Sequence, residues 1–256
     1  APRFFSVTYG AGGSTRDLTH DSAHVLRRTS GLPVAAHLTC VGASKAETLE
    51  VADSFAEIGV TDIVALRGDP ENGAPTFTPH ADGFADSVEL IEALAKTGKF
   101  TLRVGAYPEP HPESHDQAQN VEWLKRKFDA GADEAITQFF FETETFLRFR
   151  DACAAAGITK TITPGIMPVT NWKSARNFAT RCGASVPAAL DEAYAAAIRD
   201  DRHDLLSTAL CTEMCSELVS EGVENLHFYT LNRPELTRAV CRALGVTSQT
   251  SLSDVA

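Results

Sequence analysis

The sequence predicts an α/β fold, a (β/α)8 TIM barrel, on the basis of three observations. Segments rich in Val, Ile, Thr and aromatic residues alternate with amphipathic helical stretches along the chain. Successive strand-like segments begin roughly 30 residues apart, which is the length of a βα unit. No GxGxxG motif follows the first strand, so a dinucleotide-binding fold lacks its usual support. Strict alternation predicts parallel strands joined by right-handed crossovers.

The element boundaries follow from the same pattern. The predicted strands are Phe4–Ala11, Val34–Cys40, Asp62–Gly68, Thr101–Tyr107, Glu134–Phe141, Thr161–Met167 and Asn225–Leu231. Helices are predicted between them, for example at Ser44–Gly59, Ala118–Gly131 and Glu144–Ala156, and several end at the glycine expected of a helix C-terminus. Two extra helices fit Pro187–Gly222, before the last strand.

These elements make seven βα units, whereas a closed barrel of this kind needs eight. Either a first strand and helix lie upstream of Ala1, or the barrel is incomplete. We favour a missing upstream unit, because an open barrel leaves unpaired hydrogen-bonding edges. Residues 1–246 are then expected to form a single catalytic barrel domain, and residues 247–256 a C-terminal tail.

Composition limits the classes of function. The 256 residues are 43% hydrophobic, which is enough for a large core. The net charge of -11 argues against nucleic acid or an anionic membrane as the main partner. No apolar run approaches the ~20 residues of a membrane span, and no signal peptide is visible, so a cytoplasmic location is expected. The six cysteines are scattered without a CxxC pair, which predicts reduced thiols and no metal site.

The most informative segment is a strand that ends abruptly in polar residues. The apolar run Asp62–Leu66 is followed directly by Arg67-Gly68-Asp69-Pro70, in which proline discourages further regular structure. A cation, a flexible glycine and an anion are thus delivered to the mouth of a buried strand. Folding alone explains this combination poorly, so it is interpreted as part of a site.

Other strand ends carry candidate groups, each with a structural alternative. His37 is either a ligand or a satisfied core histidine, and Gln138 either pairs with a neighbouring backbone or binds a ligand through its amide. Tyr107 lies in a proline-rich loop that is rigid in any case. The basic run Lys125–Lys127 is either a solvated helix face or a phosphate site. Barrel geometry would bring these strand ends to one mouth.

A specific pattern then emerges from ordered segments. They are VTYGAGG at Val7–Gly13, AHLTC at Ala36–Cys40, VALRGDP at Val64–Pro70, AYPEPHPE at Ala106–Glu113, LKRK at Leu124–Lys127, AITQFFF at Ala135–Phe141, PGIMPV at Pro164–Val169 and HFYTLNR at His227–Arg233. This collinear pattern resembles the bacterial, FAD-dependent type of methylenetetrahydrofolate reductase. The resemblance implies an oxidoreductase of one-carbon metabolism and methionine biosynthesis. It would reduce 5,10-methylenetetrahydrofolate with NADH or NADPH through FAD, in ping-pong order.

The resemblance also implies roles for individual residues. Those implied to bind FAD are Thr8, Tyr9, Ala11, His37, Leu66, Arg67, Gly68, Asp69, Tyr107, His111, Asn120, Trp123, Arg126 and Lys127. Those implied to bind folate are Asp69, Gln138, Ser174, Phe178 and Arg233, with Asp69 and Gln138 as the catalytic pair. Arg126 and Lys127 would neutralise the pyrophosphate. Asp69 would favour the cationic folate intermediate that accepts hydride.

Three departures from the family pattern bear on these roles. The family's general acid is a glutamate of its first strand, expected here upstream of Ala1. The helix before LKRK has Asn120 and Trp123 where the family usually has Asp and Asn, and Ser174 replaces a longer glutamine. A flavin-free reductase and a non-catalytic folate- or flavin-binding subunit therefore stay open as alternatives. The choice between NADH and NADPH is open, and the resemblance implies a homo-oligomer.

Overall fold

The computed structural model describes residues 2–9, 16–70, 74 and 76–246, without the side chains of residues 16 and 17. Within these residues the strands are β1 (Phe5–Val7), β2 (Val34–Thr39), β3 (Asp62–Leu66), β4 (Thr101–Ala106), β5 (Glu134–Phe139), β6 (Ile162–Ile166) and β7 (His227–Phe228). The helices of the same residues are α1 (Arg16–Ser30), α2 (Lys45–Glu57), α3 (Ser87–Thr97), α4 (Gln117–Asp129), α5 (Thr143–Ala155), α6 (Trp172–Cys182), α7 (Ala188–Arg199), α8 (His203–Ser220) and α9 (Pro234–Ala243). The predicted tail, residues 247–256, lies outside the described residues.

The strands form one sheet in chain order, from β1 to β7. Parallel registers join β1 to β2, β2 to β3, β3 to β4 and β6 to β7. The predicted α/β alternation with parallel pairing is therefore confirmed. The extra helices predicted before the last strand are also present, as α7 and α8.

Contacts divide the chain into two compact units. The amino-terminal unit consists of Pro2–Gly105 and Trp123–Ala135, and the carboxy-terminal unit consists of Ala106–Glu122 with the described residues from Ile136 onward. The assignment of residues 1–246 to a single domain stays a prediction. Among the described helices, none has the length and apolar character needed to cross a bilayer.

The amino-terminal unit is built on a tightly packed apolar core. Its fully buried large side chains are Leu38, Phe55, Ile63, Leu90, Ile91, Leu94, Leu102 and Leu124. Local sequence fixes where its helices begin. Ser44 and Glu47 form a capping box before α2, and Asp86 accepts hydrogen bonds from two backbone N–H groups at the start of α3. Gly98 ends α3 in the left-handed conformation.

The carboxy-terminal unit contains two apolar clusters. One includes Phe139, Met167, Trp172 and Tyr194, and the other includes Phe140, Phe146, Ile166, Cys211 and Cys215. Phe139 and Phe140 are neighbours in sequence but belong to different clusters, because side chains at the end of a strand point to alternate faces. The cysteines are free thiols, as predicted, and four of the six are buried.

The predicted strands extend too far at their carboxyl ends, by one or two residues for β2 to β6 and by three for β7, while β1 ends at Val7 and its predicted end, Ala11, lies outside the described residues. β3 ends at Leu66 rather than Gly68, and Gly68 has a φ of 92°, which no strand residue adopts. β7 is only two residues long, because the non-glycine residues Leu231 and Asn232 follow it with φ values of 49° and 58°. Gly68 and Tyr107, which were predicted in strands, therefore lie in loops, whereas the candidate residues His37, Leu66 and Gln138 lie within strands.

A buried ion network joins three strands of the amino-terminal unit. The Arg103 guanidinium of β4 donates to the Asp62 carboxylate of β3 and, over 3.2 Å, to the Glu134 carboxylate of β5. The guanidinium also lies 4.1 Å from the centre of the Phe4 ring. Arg103 and Asp62 are only 8% exposed, so each charge depends on its partners.

We expect Arg103→Ala to lower the free energy of unfolding by about 3 kcal/mol, because it leaves the buried Asp62 carboxylate and the half-buried Glu134 carboxylate without a cation. Chemical denaturation measures the loss. Lys125→Ala is the matched control, since Lys125 forms an exposed ion pair with Asp129 one helical turn away, worth less than about 0.5 kcal/mol. Equal losses in the two variants would contradict a structural role for the buried network.

Candidate active site

The turn after β3 presents Asp69 at the end of a buried strand. Gly68 adopts a φ of 92°, and a Cβ on it would lie 2.7 Å from the Val41 side chain, so only glycine fits. Asp69 is exposed, whereas the strand residue Val64 is buried. Arg67 is half-buried, and its guanidinium stacks 4.8 Å from the centre of the Phe77 ring. The predicted delivery of a cation and an anion to the strand end is therefore observed.

Lys127 is a buried cation in the same unit. It is 7% exposed, and its Nζ donates a 2.7 Å hydrogen bond to the Gly105 carbonyl in β4. Burial lowers the pKa of Lys127 to about 8, while the Asp86 carboxylate opposes that shift and Arg67 adds to it. Within the described part of the chain, Lys127 forms no ion pair. The sequence predicted either a solvated helix face or a phosphate site for the basic run that includes Lys127, and its deep burial is a finding of the structure.

Arg126 is exposed and lies over an aromatic face. Its guanidinium is 4.1 Å from the centre of the Trp123 ring, one turn earlier on α4. Trp123 therefore supplies the surface on which Arg126 rests. This contact restricts the rotamers of Arg126 before any anion binds.

The remaining predicted cofactor residues of this unit lie at strand ends. They are Thr8 and Tyr9 after β1, His37 within β2 and Leu66 at the end of β3, whereas Ala11 lies outside the described residues. Thr8 is exposed and its carbonyl accepts a 3.0 Å hydrogen bond from the Thr19 hydroxyl. Sequence reasoning missed Thr39, whose Oγ1 is buried without a hydrogen-bond partner. Its place in AHLTC, two residues after His37, was the available signal.

In the carboxy-terminal unit, Asn120 fastens the loop that follows β4. Its Nδ2 donates to the Tyr107 carbonyl over 3.2 Å and to the Glu109 carbonyl over 2.8 Å. The Tyr107 ring meets the His111 ring edge-on at 4.6 Å between centroids. Asn120 is 7% exposed, and both of its amide hydrogens are used by the loop. Only its Oδ1 is left for a direct contact with a cofactor.

A second contact holds the same loop from another side. The Glu109 carboxylate accepts a 2.8 Å hydrogen bond from the Ser185 backbone N–H. A Cβ on Gly183 would lie 3.0 Å from the Pro110 carbonyl, so the two loops approach closely at a glycine. Tyr107 and His111 are thus presented by a loop that is fixed at several points.

Gln138 and Phe178 lie at the predicted folate side of this unit. Gln138 is half-buried, and its Oε1 accepts a 3.0 Å hydrogen bond from the Phe139 backbone N–H. Its Nε2 has no hydrogen-bond partner among the described residues and so has two donors for a ligand. Phe178 is half-buried, with its ring 5.2 Å from that of Phe139.

Ser174 and Arg233 are both exposed. Ser174 lies in the first turn of α6, where its backbone N–H donates to the Asn171 side chain over 2.9 Å. Arg233 precedes α9 and follows the two left-handed residues Leu231 and Asn232. Backbone strain of this kind in non-glycine residues is typical of functional sites.

Tyr229, which sequence reasoning also left out of the site, has a structural role. Its hydroxyl donates a 2.8 Å hydrogen bond to the Thr137 carbonyl, and burial raises its pKa. Gly165 permits the approach, because a Cβ there would lie 2.5 Å from the Tyr229 ring. The position of Tyr229 in the HFYTLNR segment was the available signal.

The amino-terminal unit fits an anionic cofactor on three counts. Lys127 is a buried ammonium with one carbonyl partner, Thr39 holds a buried hydroxyl without a partner, and Arg126 is an exposed guanidinium held over the Trp123 ring. Buried polar groups without partners are rare in native proteins and call for a ligand or another explanation. The donors suit phosphate oxygens. The described residues contain no cluster of His, Cys, Asp and Glu able to hold a metal ion.

Comparison with known proteins places these residues in a family. The family model described as methylenetetrahydrofolate reductase matches residues 1–245. The chain belongs to the methylenetetrahydrofolate reductase family. The 5,10-methylenetetrahydrofolate reductase of Pectobacterium carotovorum subsp. carotovorum is 43% identical over 96% of this chain and 80% of its own length. That of Escherichia coli strain K12 is 41% identical over 96% of this chain and 81% of its own length.

Two further comparisons extend this result. A rice protein named probable methylenetetrahydrofolate reductase (NADH) is 34% identical over 98% of this chain and 44% of its own length. A solved structure is described as an uncharacterized protein from Clostridium thermocellum that binds two copies of 5-methyl-5,6,7,8-tetrahydrofolic acid. It matches with a TM-score of 0.52 at 14% identity, over 95% of this chain and 93% of that one, and shows likeness of fold alone. Membership of the reductase family confirms the predicted enzyme class.

The amide of Asn120 gives the first test of this site. Asn120→Asp replaces the Nδ2 amide group, which supplies both N–H donors, by a single oxygen atom that faces two carbonyl oxygens. We expect a loss of about 1–3 kcal/mol in loop stability, and backbone amide exchange at Tyr107, Glu109 and His111 about tenfold faster. Hydrogen exchange on the cofactor-free protein measures these exchange rates.

Gln119→Glu is the matched control for that experiment. The Gln119 side chain uses only its oxygen, which accepts a 2.8 Å hydrogen bond from the His115 backbone N–H, and a glutamate keeps that acceptor. The control should therefore leave exchange in the loop unchanged. Unchanged exchange in Asn120→Asp as well would show that the amide does not hold the loop.

Proposed function

We propose that this protein reduces 5,10-methylenetetrahydrofolate to 5-methyltetrahydrofolate with electrons from NADH, using FAD in a ping-pong reaction. The family match over residues 1–245 supports the overall reaction. NADH as donor is supported by the name of the rice relative. The observation that carries the cofactor assignment is the buried Lys127 ammonium, whose single partner is a backbone carbonyl. FAD, when bound, supplies the hydride carrier between the two substrates.

The residues assigned to FAD would contact different parts of the cofactor. Lys127 and the Trp123-supported Arg126 would neutralise the pyrophosphate, and the Thr39 hydroxyl would gain a hydrogen-bond partner. The loop that Asn120 fastens would present Tyr107 as flat surface for a ring. The other residues assigned to FAD on the same proposal are Thr8, Tyr9, Ala11, His37, Leu66, Arg67, Gly68 and His111.

The residues assigned to folate would orient the substrate and stabilise the charge that develops on it. Gln138 Nε2 would donate to the pterin edge, and Phe178 would stack on the substrate with Phe139 behind it. Arg233 and Ser174 are exposed polar groups suited to the outer part of the folate. Asp69 would hold a fixed negative charge that stabilises the cation accepting the hydride. The proton for opening the methylene bridge is assigned to a glutamate upstream of Ala1.

The complete barrel is part of the proposal. Among the described residues β1 pairs with β2 alone, so a further βα unit would cover its free edge. Such a unit would also carry the general acid. A homo-oligomer and a cytoplasmic location stay predictions.

The visible spectrum of the purified protein, followed anaerobically, tests the proposal. Flavin bands that bleach with NADH and return with 5,10-methylenetetrahydrofolate are the expected result, because the two substrates would react in turn. A colourless protein that oxidises NADH only when the folate is present would replace this proposal by direct hydride transfer. A protein with neither colour nor turnover would contradict the cofactor assignment.

Asp69→Asn separates the two half-reactions. We expect FAD to stay bound and folate reduction to slow by about 10²-fold, with a much smaller effect on NADH oxidation, because the lost charge faces the folate step. Stopped-flow absorbance measures both rates. Asp129→Asn on α4, an exposed partner of Lys125, is the control and should match the wild type. Equal losses in the two half-reactions would refute the role given to Asp69.

The pH dependence of FAD binding tests Lys127. Its pKa is about 8 in the cofactor-free protein and ordinarily 10.5, so the neutral amine dominates above pH 8. A bound pyrophosphate would stabilise the ammonium, so binding at about pH 9 should take up a proton and weaken as pH rises. Calorimetry in buffers of different ionisation enthalpy counts the proton. The stability of the cofactor-free fold should rise between about pH 8 and 10.5, where the unfolded lysine binds more protons.

Lys127→Arg is the control for this titration. Arginine stays charged throughout, so proton uptake and the weakening above pH 8 should both disappear if the variant binds FAD. Unchanged proton uptake in Lys127→Arg would assign the titration to another group.

A further inference from the structure

The carboxy-terminal unit contains a cavity of about 340 Å³ that lies apart from every residue assigned above to FAD or folate. Its lining includes Phe141, Glu142, Met167, Tyr194, Leu210 and Glu213. The volume lies within the range of small-molecule sites, about 300–1,000 Å³. The chemistry of the lining therefore decides which molecule the cavity would bind.

The walls of the cavity are mainly apolar. Ends of β5 and β6 form one side through residues such as Phe141 and Met167, and α7 and α8 form the other through Leu190, Leu210 and Met214. The buried polar pair inside is satisfied, since the Tyr194 hydroxyl and the Ser207 hydroxyl lie 3.2 Å apart in a hydrogen bond. The walls thus suit a hydrocarbon or aromatic body and provide no demand for a polar one.

The lining also carries carboxylates. The Glu217 carboxylate accepts a hydrogen bond from the Thr143 hydroxyl. The Glu144 carboxylate lies 3.6 Å from the Arg148 guanidinium. The Glu142 and Glu213 side chains form neither an ion pair nor a hydrogen bond within the described part of the chain. Glu213 and Glu217 are one turn apart on α8, where two like charges destabilise a helix. A cation among these carboxylates would relieve that repulsion.

An aromatic stack joins the cavity to the predicted folate side. Tyr194 of the lining stacks on Trp172 at 4.4 Å, and Trp172 meets Phe141, also of the lining, at 5.7 Å. Phe141 contacts Phe139 at 5.7 Å, and Phe139 contacts Phe178 at 5.2 Å. A molecule in the cavity would touch Tyr194 and Phe141, which both contact Trp172. The fluorescence of Trp172 should therefore change when the cavity is occupied.

We propose that this cavity binds an amphipathic organic cation, a molecule with an apolar body and one protonated amine. The apolar walls would hold the body, and Glu142 with Glu213 would hold the amine. A volume of about 340 Å³ accommodates about ten non-hydrogen atoms, at about 30 Å³ for each atom of water size. The carboxylates would repel an anionic ligand. A neutral ligand would gain nothing from Glu142 and Glu213, because these exposed carboxylates would stay solvated by water.

Three probes of one shape test the proposal on the whole chain. Phenylpropylamine, phenylpropanol and phenylpropanoate share an aromatic body and differ in charge from positive through neutral to negative. Calorimetry should show the amine binding about fivefold tighter than the alcohol, the effect expected for two exposed carboxylates, with the acid weakest. The amine should also change Trp172 fluorescence. Equal affinity for all three, or no binding of the amine, would overturn the proposal.

Variants locate the binding. Met214→Trp and Leu210→Trp each enlarge a half-buried lining residue, and either should abolish binding of the amine while the chain stays folded. Glu142→Gln with Glu213→Gln should remove the preference for the amine over the alcohol. Glu192→Gln is the matched control, since Glu192 is an exposed residue of α7 outside the lining. A preference that survives the double variant, or falls equally in the control, would place the amine elsewhere.

Discussion

The amino-terminal unit depends on the requirement that a buried charge be paired. Asp62 opens β3, Glu134 opens β5, and Arg103 of the intervening β4 donates to both carboxylates. Each charge was removed from water during folding, and only this arrangement returns the lost solvation. A register shift by one residue would turn Arg103 to the other face of the sheet and leave the carboxylates unpaired. The network therefore fixes the strand register on which the positions of the site residues depend.

Lys127, the second buried cation of this unit, has a different kind of partner. Arg103 meets two carboxylates, whereas Lys127 meets one backbone carbonyl at the other end of the same strand, and its pKa falls accordingly. A protein that needed only stability would have paired or removed such a charge, since burial without a counter-ion is costly. The two buried cations, Arg103 of β4 and Lys127 of α4, thus differ in role. The paired cation supports the fold, and the unpaired one is suited to an anion from outside.

The sequence predicted the elements well because their signal is local. Strand cores such as Asp62–Leu66 and the apolar stripe of Val121, Leu124 and Phe128 follow from periodicity, which reports the apolar face of each segment. The depth of Lys127 could not be predicted in this way. Its burial depends on a contact with another element, the hydrogen bond that its Nζ donates to the Gly105 carbonyl of β4. The strand ends were misplaced because chain direction there depends on turns such as that at Gly68.

Two side chains of α4 differ from those that the resemblance implies, and each organises a neighbouring group. Asn120 donates two hydrogen bonds to the loop of Tyr107, which the acidic residue implied by the resemblance could not do. Trp123, where the resemblance implies an amide, supports the Arg126 guanidinium. In both cases preorganisation of a neighbouring group takes the place of a direct polar contact. Preorganisation lowers the entropy lost when a ligand binds, so affinity can be kept while individual contacts are lost.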